Sequence, residues 1–191
     1  TDEPALLAKA IKLVQSLTDL PICIDSSVIE ALDAGLAVYE GKALVNSMTG
    51  EDERMDAILP LVKKYDAAIL ALPNDELEIP MLAKDRMVIV EKIVRRVEKE
   101  GISLENLLID PLAMPVGADP ENVKNTLETI YQIKEKYGLN MSLGASNVSF
   151  GLPSRHALNA AFMPMAMSMG LTSAIMDGRT PEVVQAVRAA D

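Results

Sequence analysis

Apolar residues recur along this chain with two spacings, one typical of helices and the other of strands. In the first segment, residues 1–18, they stand three or four positions apart and acidic residues come at the start, which predicts a helix. Short apolar runs bounded by Pro, Gly or polar residues follow at intervals and predict buried strands. Helical and strand patterns then alternate to the last residue.

The predicted strands are short, and each precedes a helix. Strands are predicted at 22–26, 43–47, 67–72, 107–111, from about 142, and at 173–177. Helices are predicted at 1–18, 28–39, 51–64, 82–100, 120–137, 155–169 and from 181. No linker, low-complexity tract or change of composition divides these six β–α repeats, so one domain over residues 1–191 is expected.

Strand–helix alternation implies a parallel sheet covered by helices, either an open doubly wound sheet or a closed barrel. An open sheet that binds a nucleotide would be expected to carry a G-x-G-x-x-G loop, and the sequence has none. In a closed barrel, polar residues at the strand ends would converge on one mouth. The polar residues that stand where an apolar strand gives way to a loop are Asp25, Asn46, Asp110, Asn147 and Asp177. The pattern therefore favours an α/β barrel. A complete one has eight strands and roughly 250 residues, so about two units are expected to be missing.

One stretch, SLGASNVSFGLPSR at 142–155, combines a strand end with several polar groups. Gly144 and Ala145 are small enough to let a flat ligand approach the backbone closely, and Ser146 and Asn147 follow them. Arg155 offers a planar fork of donors from the first turn of the next helix. For this stretch alone, the alternative is an ordinary β–α connection whose Ser and Asn cap a helix.

Composition narrows the possible partners. The 191 residues are 49% hydrophobic and carry 18 basic against 28 acidic side chains, a net charge of −10, which argues against binding to nucleic acid. A single Cys and a single His argue against a disulfide framework and a Cys/His metal cluster. No apolar run approaches the ~20 residues of a membrane span. We expect a cytoplasmic protein without a metal or membrane partner, and a first residue that is Thr suggests a piece of a longer chain.

The polar groups expected at the mouth suit one kind of ligand. Carboxylates accept hydrogen bonds, and a carboxamide both donates and accepts. Together they match a flat heterocycle with several N–H donors and carbonyl acceptors, such as a 2-amino-4-oxopyrimidine ring. For any single Asp the alternative is a helix cap or turn residue, but repetition at five strand ends favours a shared site.

Four segments carry a family resemblance. CIDSS at 23–27, ALVNSMTGE at 43–51, LLIDPLAMP at 107–115 and LGASNVSFGLPSR at 143–155 resemble the pterin-binding methyltransferases. These are the methyltetrahydrofolate:corrinoid protein methyltransferases, with the folate-binding module of cobalamin-dependent methionine synthase as a close relative. The resemblance covers essentially the whole chain. It implies a TIM (β/α)8 barrel with about six of its eight β–α units present, truncated at the N-terminal side and in the last helix.

The resemblance also implies the function and the site. The expected activity is transfer of a methyl group between methyltetrahydrofolate and the cobalt of a cobalamin carried by a corrinoid partner protein. Asn147 is expected to face the nitrogen that carries the methyl group and to be the catalytic residue. The residues expected to bind or line the pterin are Asp25, Asn46, Asp110, Gly144, Ser146, Asn147, Arg155 and Ile175.

The chain departs from the family at some points, and two alternatives stay open. The family's first two strands, one of which supplies a further pterin-binding Asp, have no counterpart here, and Phe150 replaces a polar residue of some members. One alternative is a folate- or pterin-binding module without turnover. The other is a dihydropteroate synthase-like enzyme, although the glycine-rich, lysine-containing segment of that family after the strand at 107–110 is missing.

Three further expectations concern single residues and assembly. Met163, Met165, Met167 and Met169 recur at every second position, so a helix places them on two nearly opposite faces. One face can pack on the barrel, and the other predicts a homodimer interface. Cys23 is expected to be a small core residue, and the single histidine a surface or capping group.

Overall fold

A computed structural model describes residues 2–77 and 79–191 and shows helices and strands in alternation. The strands of these ranges are β1 (Cys23–Asp25), β2 (Leu44–Thr49), β3 (Ala68–Leu72), β4 (Leu107–Ile109), β5 (Asn140–Gly144) and β6 (Ser173–Ile175). The helices are α1 (Glu3–Gln15), α2 (Ile29–Val38), α3 (Asp52–Lys64), α4 (Ala83–Lys99), α5 (Glu121–Tyr137), α6 (Arg155–Met169) and α7 (Pro181–Ala190). Short 3-10 helices occupy Leu104–Asn106 and Ala145–Ser149.

The strands form one sheet in which spatial order equals chain order. In the described ranges the order is β1-β2-β3-β4-β5-β6, and every neighbouring pair is parallel. A doubly wound sheet would reverse its direction of growth at a switch point, whereas a barrel adds each strand beside the previous one. The predicted barrel fold is therefore confirmed, as a curled part-barrel of six strands. Within these ranges β1 and β6 are the two edges.

The two faces of the sheet differ in burial. Alternate residues of a strand point to opposite faces, and the residues that point to the helices are buried; these are Ile24, Val45, Ile69, Ile109, Met141 and Leu143. They form the hydrophobic core with the apolar stripes of the helices. The other face is more open: in β1, Cys23 and Asp25 are exposed on either side of buried Ile24. The open face carries the polar side chains of the strand ends.

The sequence explains where several elements begin and end. Pro120 caps the start of α5, and Gly138 closes that helix in the left-handed conformation with φ of 62°, which glycine adopts without a steric penalty. Strand β4 ends at Ile109 because Asp110 bends the chain into a turn and Pro111 has no N–H to donate. The strand predicted to 111 is therefore two residues shorter in the structure.

Helix α6 shows the two methionine faces that its sequence predicts. Met163 is buried and Met167 is partly buried against the core, while Met165 and Met169 are 46% and 37% exposed. The exposed pair leaves an apolar strip on the outside of the helix. Neither α6 nor any other helix of the described ranges is both long enough and apolar enough to cross a membrane.

Gly50, which follows β2, is expected to tolerate no side chain. Its N–H donates to the carbonyl oxygen of Asn74 at 2.8 Å. A Cβ at this position would overlap the Ile89 side chain and lie 3.0 Å from that same oxygen. We expect Gly50→Ala to lower the free energy of unfolding by about 1–3 kcal/mol, since both neighbours must move.

Gly178 provides the matched control, because a Cβ there would meet nothing within 4 Å. Urea unfolding of Gly50→Ala, Gly178→Ala and the parent protein measures the difference. Equal midpoints for the two variants would contradict the packing described here.

Candidate functional site

Asp25 and Asn46 are in contact at the carboxyl ends of β1 and β2. The two residues are register partners in the parallel ladder, and Asn46 Nδ2 donates to Asp25 Oδ2 at 3.2 Å. The peptide bond after Asn46 is cis, and the pairing of β2 with β3 shifts register between Asn46 and Met48. The Asp25 carboxylate keeps a second oxygen, Oδ1, that can accept a hydrogen bond from a ligand.

Asp110 lies at the end of β4 and folds back over its own turn. Its backbone N–H donates to Ala71 in β3 at 2.9 Å, and its Oδ1 accepts the N–H of Leu112 at 2.8 Å. Burial raises the pKa of Asp110 to about 6, while the Leu112 hydrogen bond and the charge of Arg86 act in the opposite direction. Asp110 is thus a carboxyl group that changes protonation just below neutral pH.

Arg86 is a buried charged residue beside the Asp110 turn that the sequence analysis missed. It belongs to α4 and is fully buried, and its guanidinium donates to the carbonyl oxygens of Pro80, Pro111 and Leu112 at 2.8–2.9 Å. The sequence does contain one indication of its burial. Arg86 lies one helical turn from Ala83 and from Val90, on the side of α4 that carries the buried apolar residues. An arginine on that side has to find its partners inside the protein.

The connection from β5 to α6 holds Asn147 close to the end of β5. A Cβ at Gly144 would lie 3.0 Å from Asn147 Nδ2, so glycine is what lets this amide sit against the strand end. Ser146 and Asn147 are exposed. They belong to the 3-10 helix Ala145–Ser149, which the sequence pattern did not predict.

Arg155, the first residue of α6, reaches back to this connection. Its Nη2 donates to the carbonyl oxygen of Ser146 at 2.8 Å, and its Nε donates to Ser149 Oγ at 3.1 Å. The guanidinium carbon also lies 5.9 Å from the centre of the exposed Phe150 ring. Arg155 therefore braces the 3-10 helix with two of its donors.

Strand β6 completes the row of strand ends. Ile175 is the register partner of Gly144 and is 49% exposed, so it offers an apolar surface beside the β5–α6 connection. Asp177, two residues further, binds the Arg179 guanidinium at 3.0 Å through both carboxylate oxygens, and this interaction lowers its pKa to about 2.

The residues predicted from the sequence are therefore distributed along one rim. Asp25 and Asn46 touch, and Gly144 contacts Asn147 and pairs with Ile175. Asp177 is engaged by Arg179 and lines a cleft of about 180 Å³ between α6 and α7. Ser146, Arg155, His156 and Asn159 line the same cleft. One expectation is wrong: Cys23 is exposed on the open face of β1 and is not a core residue.

Comparison with known proteins defines the class of this protein. The family described as "Pterin binding enzyme" matches residues 2–177, and the chain belongs to that family. The family resemblance that the four sequence segments predicted is confirmed.

Two relatives make the comparison more specific. The chain is 32% identical over 182 residues to the methylcorrinoid:tetrahydrofolate methyltransferase of Eubacterium limosum. The aligned region covers 94% of this chain and 67% of that protein. It is also 32% identical over 182 residues to the methionine synthase of Mycobacterium tuberculosis, covering 88% of this chain. The chain spans only 15% of that methionine synthase.

Solved structures support the fold. A dihydropteroate synthase from Xanthomonas albilineans in complex with 7,8-dihydropteroate superposes with a TM-score of 0.73 at 20% identity, over 95% of this chain and 70% of that one. The dihydropteroate synthase of Coxiella burnetii superposes with a TM-score of 0.71 at 17% identity, over 96% of this chain and 70% of that one. At this identity the likeness shows the barrel fold alone.

The raised pKa of Asp110 predicts a pH-dependent stability. Because its carboxyl holds a proton more tightly in the folded state than in the unfolded state, its contribution to stability is complete below its unfolded pKa and is lost as pH rises through about 6. We expect Asp110→Asn to remove this loss. The variant should gain about 1–3 kcal/mol relative to the parent between about pH 4 and about pH 7.

Urea unfolding of both proteins across that range measures the effect, and Asp177→Asn is the control. The pKa of Asp177 is lowered to about 2, so its contribution is present above its unfolded pKa and lost only in stronger acid. Its difference from the parent should stay flat between about pH 5 and about pH 7. A flat difference for Asp110→Asn as well would show that Asp110 titrates normally.

Proposed function

We propose that this protein is a methyltransferase that moves the methyl group between methyltetrahydrofolate and the cobalt of a cobalamin carried by a corrinoid partner protein. The observation that carries the proposal is the 32% identity, over 94% of the chain, to an enzyme named for that transfer. The printed name of that relative describes transfer from a methylcorrinoid to tetrahydrofolate, and the proposal includes both directions. The structural likeness to dihydropteroate synthases fits a shared fold and does not favour their reaction.

The rim supplies groups suited to the pterin ring. The free oxygen of Asp25 and the carboxylate of Asp110 are acceptors for the ring N–H groups, and Asn46 offers an amide oxygen beside Asp25. Gly144 and Ser146 line the approach, and Ile175 presents an apolar surface to the ring. Arg155 donates a hydrogen bond to the carbonyl oxygen of Ser146 and so holds Ser146 in place.

Methyl transfer to cobalt requires help at the nitrogen that loses the methyl group. The bond to carbon breaks with its electron pair left on nitrogen, and an amine anion is a very poor leaving group. Asn147 can donate a hydrogen bond from its amide that strengthens as charge develops, which is stabilisation specific to the transition state. A cobalt(I) corrinoid supplies the nucleophile that takes the methyl group.

The proton that ends on this nitrogen comes, in this proposal, from water or from a network that includes Asp25 and Asp110. Asp110 suits that role because burial raises its pKa to about 6, near the working pH of a general acid. The same carboxyl must be ionised to accept ring N–H groups. Once ionised to hold the ring, Asp110 carries no proton of its own, so it can only pass on a proton taken up from water.

The decisive test of the proposed function is a single-turnover assay. The protein is mixed with methyltetrahydrofolate and a cobalt(I) corrinoid protein, and methyl transfer is followed by the visible spectrum of the corrinoid. Transfer above the uncatalysed rate supports the methyltransferase. Tight binding of methyltetrahydrofolate without transfer would identify a binding module instead.

Asp110→Ala is expected to act mainly on binding. Ring N–H groups left without an acceptor in a buried site cost roughly 1–3 kcal/mol, which is about ten- to a hundredfold in affinity. Equilibrium titration with methyltetrahydrofolate measures the loss. Asp56→Ala is the matched control, since Asp56 is a largely exposed aspartate on α3, away from the strand ends, and its loss should leave affinity unchanged.

Asn147→Ala is expected to act mainly on the rate. Removal of a donor that works on developing charge lowers the rate constant by about 10²–10³, with ground-state affinity changed far less. The same single-turnover assay, run beside the binding titration, separates the two effects. Normal transfer by Asn147→Ala would refute its catalytic role.

We also propose a homodimer formed through the exposed methionine strip of α6. Met165 and Met169 are the large apolar side chains on that strip, and flexible thioether side chains suit an interface. Light scattering should give the mass of two chains, and the double variant Met165→Glu, Met169→Glu should give one. Leu13→Glu on α1, also exposed, is the control that should stay dimeric. If light scattering gives the mass of one chain for the parent protein, the homodimer proposal is wrong.

A further inference from the structure

We propose that Arg86 is a positioning residue that sets the orientation of the Asp110 carboxylate at the rim of the barrel. The inference deepens the proposed function, because the importance of Asp110 to a pterin rests on that function. It starts from a buried cation that no part of the methyl-transfer scheme uses.

The contacts of Arg86 converge on the turn that follows Asp110. Its Nη1 donates to the carbonyl oxygens of Pro111 at 2.8 Å and Leu112 at 2.9 Å, so two successive peptide units are tied to one nitrogen. Its Nε donates to Pro80 at 2.8 Å, in the segment between β3 and α4. One side chain of α4 thus joins the chain segments that follow β3 and β4.

The turn itself needs an external restraint. Leu112 has a φ of 60°, in the left-handed region that a branched side chain rarely adopts. Its carbonyl oxygen is held by Arg86 and also by Thr126 Oγ1 of α5 at 3.0 Å. In this conformation its N–H points back and donates to Asp110 Oδ1. The restraint on Leu112 therefore reaches the carboxylate through one peptide unit.

As a consequence, the two carboxylate oxygens of Asp110 have different roles. Oδ1 is occupied by the Leu112 N–H, which leaves Oδ2 as the oxygen that is available to a ligand. Without the clamp on the Pro111 and Leu112 carbonyls, Leu112 can relax to negative φ and withdraw its N–H. The carboxylate would then be free to rotate, and the acceptor at the rim would lose its fixed direction.

Charge supports the same assignment. Burial lowers the pKa of Arg86 to about 10, and the negative charge of Asp110 acts against that shift. Arg86 Nη2 is buried without a hydrogen-bond partner among the described residues, an unusual cost for a cation. Among the described residues no ion pair within 4.0 Å joins Arg86 to Asp110, so the attraction between the two charges acts at longer range.

Among the elements that surround Asp110, one contributes a charged side chain that shifts the pKa of Asp110. In the described ranges this charge is Arg86 of α4. β3 ends beside it in the apolar residues Ala71 and Leu72, β5 ends in Leu143 and Gly144, and α5 contributes the neutral Thr126 through Leu112. A change in the titration of Asp110 can therefore be traced to Arg86.

Two variants of Arg86 separate orientation from charge, with Arg95→Met as the control on the exposed face of α4. Arg86→Met removes the charge and the donors but keeps an unbranched stem. Arg86→Lys keeps a cation but loses the planar fork. The ¹³C resonance of the Asp110 carboxyl, assigned by comparison with Asp110→Asn, gives its pKa in the protein without ligand. Titration with methyltetrahydrofolate against pH gives the affinity profile.

We expect Arg86→Met to raise the Asp110 pKa above its present value of about 6 by about one unit. Its affinity at about pH 7 should fall about tenfold and recover in part at higher pH. Arg86→Lys should keep the midpoint near that of the parent but bind about tenfold more weakly at every pH. Arg95→Met should match the parent in both measurements.

Two outcomes would overturn the inference. One is a folded Arg86→Met whose Asp110 pKa and affinity profile equal those of the parent. The other, decisive if Arg86→Met does not fold, is an Arg86→Lys that binds as tightly as the parent. The proposed function is judged separately: a parent that does not bind methyltetrahydrofolate refutes it, while the carboxyl resonance still reports whether Arg86 controls Asp110.

Discussion

The structure depends on the alternation of side chains along its parallel strands. Each strand sends one set of residues into the helices and the other to the open face, and the first set is buried with exposures of 0–1% at positions such as Ile24, Val45 and Ile109. Burial of that set fixes the register, because a slip by one residue would expose the whole apolar set. The same register brings Asp25 opposite Asn46 and Gly144 opposite Ile175. The position of the rim residues is thus a by-product of the packing between sheet and helices.

Several polar groups of the rim are held by hydrogen bonds to other residues of this chain. Asn46 is fixed by Asp25, Asp110 by the Leu112 N–H, and Arg155 by the Ser146 carbonyl and the Ser149 hydroxyl. Side chains that are held before a ligand arrives lose less conformational entropy on binding. The rim is therefore largely organised within this chain, by contacts inside one connection and by contacts between neighbouring strands.

The fold could be predicted from the sequence because it follows from periodicity, which is a property of each segment on its own. Every strand and every α-helix was predicted within a few residues, and the polar strand ends indicated the barrel. What could not be predicted depends on contacts between segments far apart in the chain. Arg86 on α4 contacts residues 25 and 26 positions later, and Cys23 is exposed because it lies on the open face of the sheet. The 3-10 helix at Ala145–Ser149 was missed since its short span carries no period of its own.

The close approach of Asn147 to the end of β5 has a consequence for how the chain tolerates change. Position 144 is occupied by glycine with φ of −73°, a backbone conformation open to any amino acid, so conformational freedom is not what requires glycine there. The requirement is space, because the smallest side chain would press on the Asn147 amide. Position 144 is therefore sensitive to mutation because the Asn147 side chain lies against it. A library that varied residue 144 alone would record a constraint imposed by its neighbour, because the Asn147 side chain would have to shift to admit a Cβ there.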